Sequence, residues 1–113
     1  MAQLVDRSFI EPIRLTNDES RGLLNQIPGW EILQTSPERL VKTYRFDDFA
    51  GALAFCNVVG AIAESAGHHP EMVTSWAQTE VRWWTHSVQG LSLNDFIMAA
   101  RTDQAASRSG PAQ

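Results

Sequence analysis

With 113 residues, 43% hydrophobic and 19% charged, the chain makes one small folded domain, too short for a second core and too apolar for a disordered polymer. Its formal net charge of -4, with nine Lys and Arg residues scattered from Arg7 to Arg108, disfavours a nucleic-acid backbone as partner. The single Cys56 allows no internal disulfide and reads as a small buried hydrophobe. Asp6 and Arg7 interrupt the apolar run a secretory signal needs, so a cytoplasmic protein is expected.

Residues 1–15 show no clear period and Pro12 breaks any early helix, so they are expected to form an extended N-terminal arm. The domain proper is expected over residues 16–102. Thr16 and Glu19 make a capping box, and Leu23, Leu24 and Ile27 recur at helical spacing until Pro28-Gly29 stops them. The first helix is thus predicted over about Asn17 to Gln26. Trp30–Thr35 and Leu40–Phe46, joined by the turn Ser36-Pro37-Glu38, predict an antiparallel hairpin with Lys42 on its exposed face.

Asp47 or Asp48 then caps a second helix that runs to about Ala66, where Gly67 ends it and Pro70 follows. Between Asp48 and Glu64 the only polar side chain is Asn57. Phe49, Leu53, Cys56 and Ala63 make one apolar row and Phe55, Val58, Val59 and Ile62 another, which predicts a second face buried by another subunit or by the other helices. Asn57 and two glycines break the run, which predicts no membrane span. Met72–Trp76 and Thr79–Thr85 read as two more strands around Ala77-Gln78. Ser92 with Asp95 is a near capping box for a third helix from Leu93 to about Thr102, and residues 103–113, small and polar, are expected to be a disordered tail. The order α-β-β-α-β-β-α predicts an α+β domain, three helices packed on one face of a four-stranded antiparallel sheet.

The chemistry concentrates between Glu64 and Asp95, which hold all three histidines: His68 and His69 before Pro70, and His86 after the fourth strand. His68 and His69 fall just past the second helix, whose dipole favours a protonated imidazole there. Consecutive rings cannot share one face, so the pair is placed to grip opposite sides of a small ligand, and histidines can give and accept protons in one turnover, as an elimination requires. Taken singly, each is also an ordinary turn residue. Asp95 has a helix-capping job, Glu64 sits against its helix dipole, and Trp76, Trp83 and Trp84 are first of all strand and core residues. No His-x-x-x-His, Cys-x-x-Cys or Gly-x-Ser-x-Gly occurs, which leaves acid–base chemistry without a metal or other cofactor as the best-supported class.

The run Glu64, His68-His69-Pro70, Trp76, His86 and Asp95 resembles the signature of the pterin-4a-carbinolamine dehydratases, with every spacer kept. Gly29-Trp30, Phe46-Asp47-Asp48-Phe49, Thr85-His86 and Gly90-Leu91-Ser92 extend the likeness over roughly Thr16 to Thr102. The resemblance implies this same fold in homodimers or homotetramers. It also implies dehydration of 4a-hydroxytetrahydropterin to quinonoid dihydropterin without a cofactor, with His68, His69 and His86 as catalytic residues around the pterin and with Glu64, Pro70, Trp76, Thr85 and Asp95 binding or orienting. The chain departs from the family's habit at Gly67, Thr74, Trp76 and Asn94. These departures, with Trp83-Trp84, are similar to a divergent branch associated with α-carboxysomes, which implies the alternative of an assembly factor with Rubisco as partner. A transcriptional coactivator role is a third class within the family. The intact signature puts the dehydratase first.

Overall fold

The computed structural model describes residues 3–109, with helices α1 (Asn17–Leu24), α2 (Phe49–Ala66) and α3 (Leu93–Ser109) and strands β1 (Glu31–Leu33), β2 (Arg39–Arg45), β3 (Glu71–Ser75) and β4 (Gln78–Trp83). The element order is the expected one. All pairings are antiparallel and the strands lie side by side as β1-β2-β4-β3, so β4 inserts between β2 and β3. Alternation puts Leu40, Tyr44, Thr79, Val81 and Trp83 on the face that α2 and α3 cover, where they are buried with Phe55, Val59, Phe96, Ile97 and Met98. Leu23 and Leu24 of α1 pack against the edge of this core.

Local chemistry sets the helix starts. Thr16 and Glu19 form the reciprocal capping box, and Asp48, not Asp47, caps α2 by accepting from the Gly51 amide. The buried stripe of α2 is Ala52, Phe55, Val59 and Ala63. Phe49, Leu53 and Val58 stand in the open, the first two on one flank and Val58 on the other beside α3, while Ala63 belongs to the stripe facing the sheet. Asn57 and the two glycines do not keep α2 from passing as a membrane span by length and composition alone, at a mean hydropathy of 1.5, but its buried stripe packs on the sheet.

Three expectations are corrected. The arm is not wholly extended, because Leu4–Asp6 makes a single 3-10 turn that buries Leu4; Met1 and Ala2 lie outside the described residues. Residues 103–109 are not a disordered tail but the last two turns of α3, with Ala105 and Ala106 buried; residues 110–113 lie outside the described region. Lys42 is not on the open face of the sheet: it shares a face with Leu40 and Tyr44, and its Nζ meets Asp103 Oδ1 at 2.8 Å.

Both the tail and Lys42 are decided by Asp103. Its carboxylate also accepts from Trp30 Nε1 at 3.2 Å and from the Tyr44 hydroxyl, tying the end of α3 to the first hairpin. Burial, then the charge of Asp103 and its hydrogen bond, push the Tyr44 phenol well above its ordinary range, against a smaller lowering by Trp30.

Candidate active site

The end of α2 aims the first histidine. Gly67 takes the left-handed conformation at φ 68°, its amide donates to Glu64 O, and the His68 amide donates to Ala63 O at 3.2 Å, closing the helix with two reversed turns. His68 is therefore held by its own backbone before its ring makes any contact. Pro70 follows and the chain enters β3.

On the opposite side, β4 ends at Trp83, Thr85 bridges to Gly90, and His86–Val88 forms a 3-10 turn closed at Gln89. The third piece is the start of α3. Asp95 accepts the Ser92 amide at 2.9 Å, which is half of a capping box. The Ser92 hydroxyl turns away to Thr85 Oγ1 at 2.8 Å.

These pieces meet at Asp95, which is fully buried. Its Oδ2 accepts from Thr85 Oγ1 at 2.7 Å and from the Ser92 amide, while Oδ1 lies 2.7 Å from His68 Nε2. An ionised carboxylate only accepts, so Nε2 carries the proton and Nδ1 is the nitrogen left to exchange one. The ring is fixed between aromatics as well: Trp83 stacks on it at 5.6 Å with 8° between planes, and Phe9 meets it edge-on at 5.7 Å. Trp83, wholly buried, is a backing for His68 and not a surface open to a ligand.

His68, His69, Thr85 and His86 line one open cavity of about 500 Å³, together with Phe9, Ile10, Pro12, Gly67, Ser87 and Asn94, a size usual for small-molecule sites. His69 Nε2 pairs with Glu64 Oε1 at 2.8 Å at the rim, both side chains mostly in solvent, so the pair orients weakly. His86 is exposed and its ring leans on Trp84 at 4.9 Å. The cavity thus gathers the three histidines, with Asp95 beneath and Glu64 beside them. Trp76 is not brought to it, since it sits at the far end of β3, 75% exposed in the turn to β4. Among the described residues no cluster of three His, Cys, Asp or Glu side chains is placed to hold a metal ion.

Sequence reading missed Phe9, Ile10, Pro12 and Ser87 as lining residues, and the use made of Asn94. Asn94 stood out as a departure from habit, whereas nothing local marks Phe9 or Ile10.

Residues 13–105 match the model of a family described as Pterin 4 alpha carbinolamine dehydratase. The chain is 54% identical to a protein of Syntrophotalea carbinolica provisionally named pterin-4-alpha-carbinolamine dehydratase, over 78% of this chain and 80% of that one. It is 50% identical to a protein of the same provisional name from Nitrosococcus oceani, over 83% and 84% of the two chains. The fold is similar to that of a transcriptional coactivator/pterin dehydratase from Brucella melitensis, at a TM-score of 0.77 and 29% identity over 83% of this chain and 99% of that one. It is also similar to a pterin dehydratase-like protein identified as a RuBisCO assembly factor in the alpha-carboxysome, at a TM-score of 0.59 and 25% identity over 69% and 89%.

Proposed function

The chain belongs to the pterin 4 alpha carbinolamine dehydratase family, a family of lyases, and from this premise we propose that it eliminates water from a 4a-hydroxytetrahydropterin to give a quinonoid dihydropterin. The observation that carries the reading is the convergence of His68, His69 and His86 on one cavity, with the His68 ring fixed from below by buried Asp95.

The reaction breaks the C4a–O and N5–H bonds, forms a double bond at the ring, and sends both the hydroxyl and a proton to water. It therefore asks for an acid at the departing oxygen and a base at N5, both of which imidazoles supply. In this scheme His68 or His86 protonates the hydroxyl and His69 takes the N5 proton. Asp95, with Thr85 behind it, orients His68; Glu64 orients His69; Pro70 sets the direction of the loop. Trp76 has no part in the single-chain scheme.

The finer assignments belong to the same proposal. The protein works in the cytoplasm without a cofactor, and as a homo-oligomer in which the open face of α2 that carries Phe49 and Leu53 is covered by another copy. A second reading, a binding scaffold that assists Rubisco assembly, is supported by the likeness to the assembly factor. That likeness is weaker in fold and identity than the likenesses that favour the dehydratase.

The test is the dehydration of freshly generated 4a-hydroxytetrahydropterin by the purified protein and by its His68→Ala and His86→Ala variants. The wild type accelerates the reaction, and each replacement lowers turnover by about a hundredfold or more while the fold persists. A folded wild type that gives no acceleration overturns the dehydratase, and recovery of assembled Rubisco with and without the protein then decides the scaffold reading.

A further inference from the structure

The N-terminal segment is fastened to the molecule at four places. Leu4 is buried. The Arg7 carbonyl accepts from Arg101 Nη2 at 2.9 Å, and the same guanidinium lies 5.4 Å from the centre of the Phe9 ring. Ile10 pairs with Asn94 in both directions, its amide donating to Oδ1 at 3.1 Å and its carbonyl accepting from Nδ2 at 2.9 Å. Leu15 donates its amide to Leu91 O at 2.8 Å.

The Asn94 contact is the most demanding of these. A carboxamide that donates and accepts against one residue's backbone fixes both its position and its direction, since a slip of one residue or a turn about the chain breaks both bonds. Asn94 is itself 4% exposed, so without Ile10 its amide would be left unpaired in a nearly dry place.

What the fastening holds in place is one side of the histidine cavity. Phe9, Ile10 and Pro12 face a space whose other side is His68, His69, Thr85 and His86. Phe9 touches the His68 ring itself, and Ile10 stays 47% exposed beside the opening, a large apolar side chain with no packing reason to be there. The family match begins at residue 13, so these three residues lie outside it while every histidine lies inside.

We propose that residues 7–12 are a clamped strap that completes the cavity, with Phe9 and Ile10 as apolar ligand contacts and Asn94 as the positioning residue that holds them. The strap gives an otherwise polar pocket one apolar flank, and with it a preference for ligands that carry an apolar edge or substituent. The identity of that ligand as a pterin rests on the function proposed above; the clamp does not.

Two readouts separate the two. Steady-state dehydration kinetics of Phe9→Ala, Asn94→Ala and Asn94→Asp are compared with wild type, and hydrogen exchange of the Ile10 amide is followed in the same proteins. In Asn94→Ala, KM rises about tenfold, more than kcat falls, and the Ile10 amide exchanges faster. Asn94→Asp keeps the acceptor and loses the donor, so it falls between. Phe9→Ala raises KM without freeing the Ile10 amide.

An active wild type whose KM is unmoved by Phe9→Ala and Asn94→Ala overturns the strap as a ligand contact, and an Ile10 amide that exchanges equally in wild type and Asn94→Ala overturns the clamp. A wild type that turns over no pterin overturns the proposed function and the pterin as the strap's ligand, and the clamp then stands or falls on Ile10 exchange.

Discussion

Asp95 carries more of the site than any histidine, because three donors converge on its two oxygens in a place water does not reach. Asp95→Ala strands the Thr85 hydroxyl, the Ser92 amide and the His68 ring together, and loses at least ~2 kcal/mol of stability in a urea titration. Asp95→Asn is gentler on the fold but leaves His68 free to take the other tautomer, so turnover falls further than stability does. The histidines and Asp95 stood out in sequence as members of a spaced run that resembles a family signature; taken singly, each histidine reads as a turn residue and Asp95 as a helix cap. Trp76 stood out in the same run, yet a strand carries it away from the cavity; linear spacing does not say which end of a strand faces a site. Contacts such as Ile10 with Asn94, 84 positions apart, leave no trace in either stretch alone.

At the scale of elements, helix starts and the end of α2 could be read off because the signals are local: Thr16 with Glu19, Asp48, and Gly67 in its left-handed turn. The end of α3 could not. Ala105 and Ala106 look like tail residues until the fold buries them, and Asp103 has no partner within its own helix. Ending the chain after Thr102 removes that carboxylate from Trp30, Lys42 and Tyr44 and strips two buried alanines, so it costs at least ~2 kcal/mol, measurable as a lower urea midpoint. The raised Tyr44 phenol adds a pH signature. The folded state keeps a proton that the unfolded chain releases above about pH 10, so the contribution is present below that value and is lost as pH rises beyond it. Tyr44→Phe removes this alkaline slope, which thermal melts across pH 9 to about 11 detect.

For the whole molecule, two surfaces remain uncovered among the described residues: the outer face of the sheet, where Val73 is open, and the outer face of α2. The second is the better candidate for self-association. Phe49 and Leu53 line it, and Gly60, between them around the helix axis, whose missing side chain would meet nothing among the described residues, keeps it low enough for close approach of another helix. Leu53→Asp is expected to lower the sedimentation coefficient to that of a single chain while the circular dichroism stays native, whereas an unchanged coefficient would move the contact elsewhere. The two apolar rows of α2 were visible in sequence; which residues the sheet buries was not, because it takes Ala63 from one row and leaves Val58 of the other exposed.

Asp95 begins a helix and holds a histidine with the same two oxygens, whereas the His86 side chain makes no hydrogen bond among the described residues and only leans on Trp84. A descendant that abandoned the chemistry would still lose stability without Asp95, whereas replacing His86 would cost it only the lean on Trp84. On the proposed function, selection in such lineages erases the two residues at different rates, and the presence of His86 is the more telling record of a chemistry still in use.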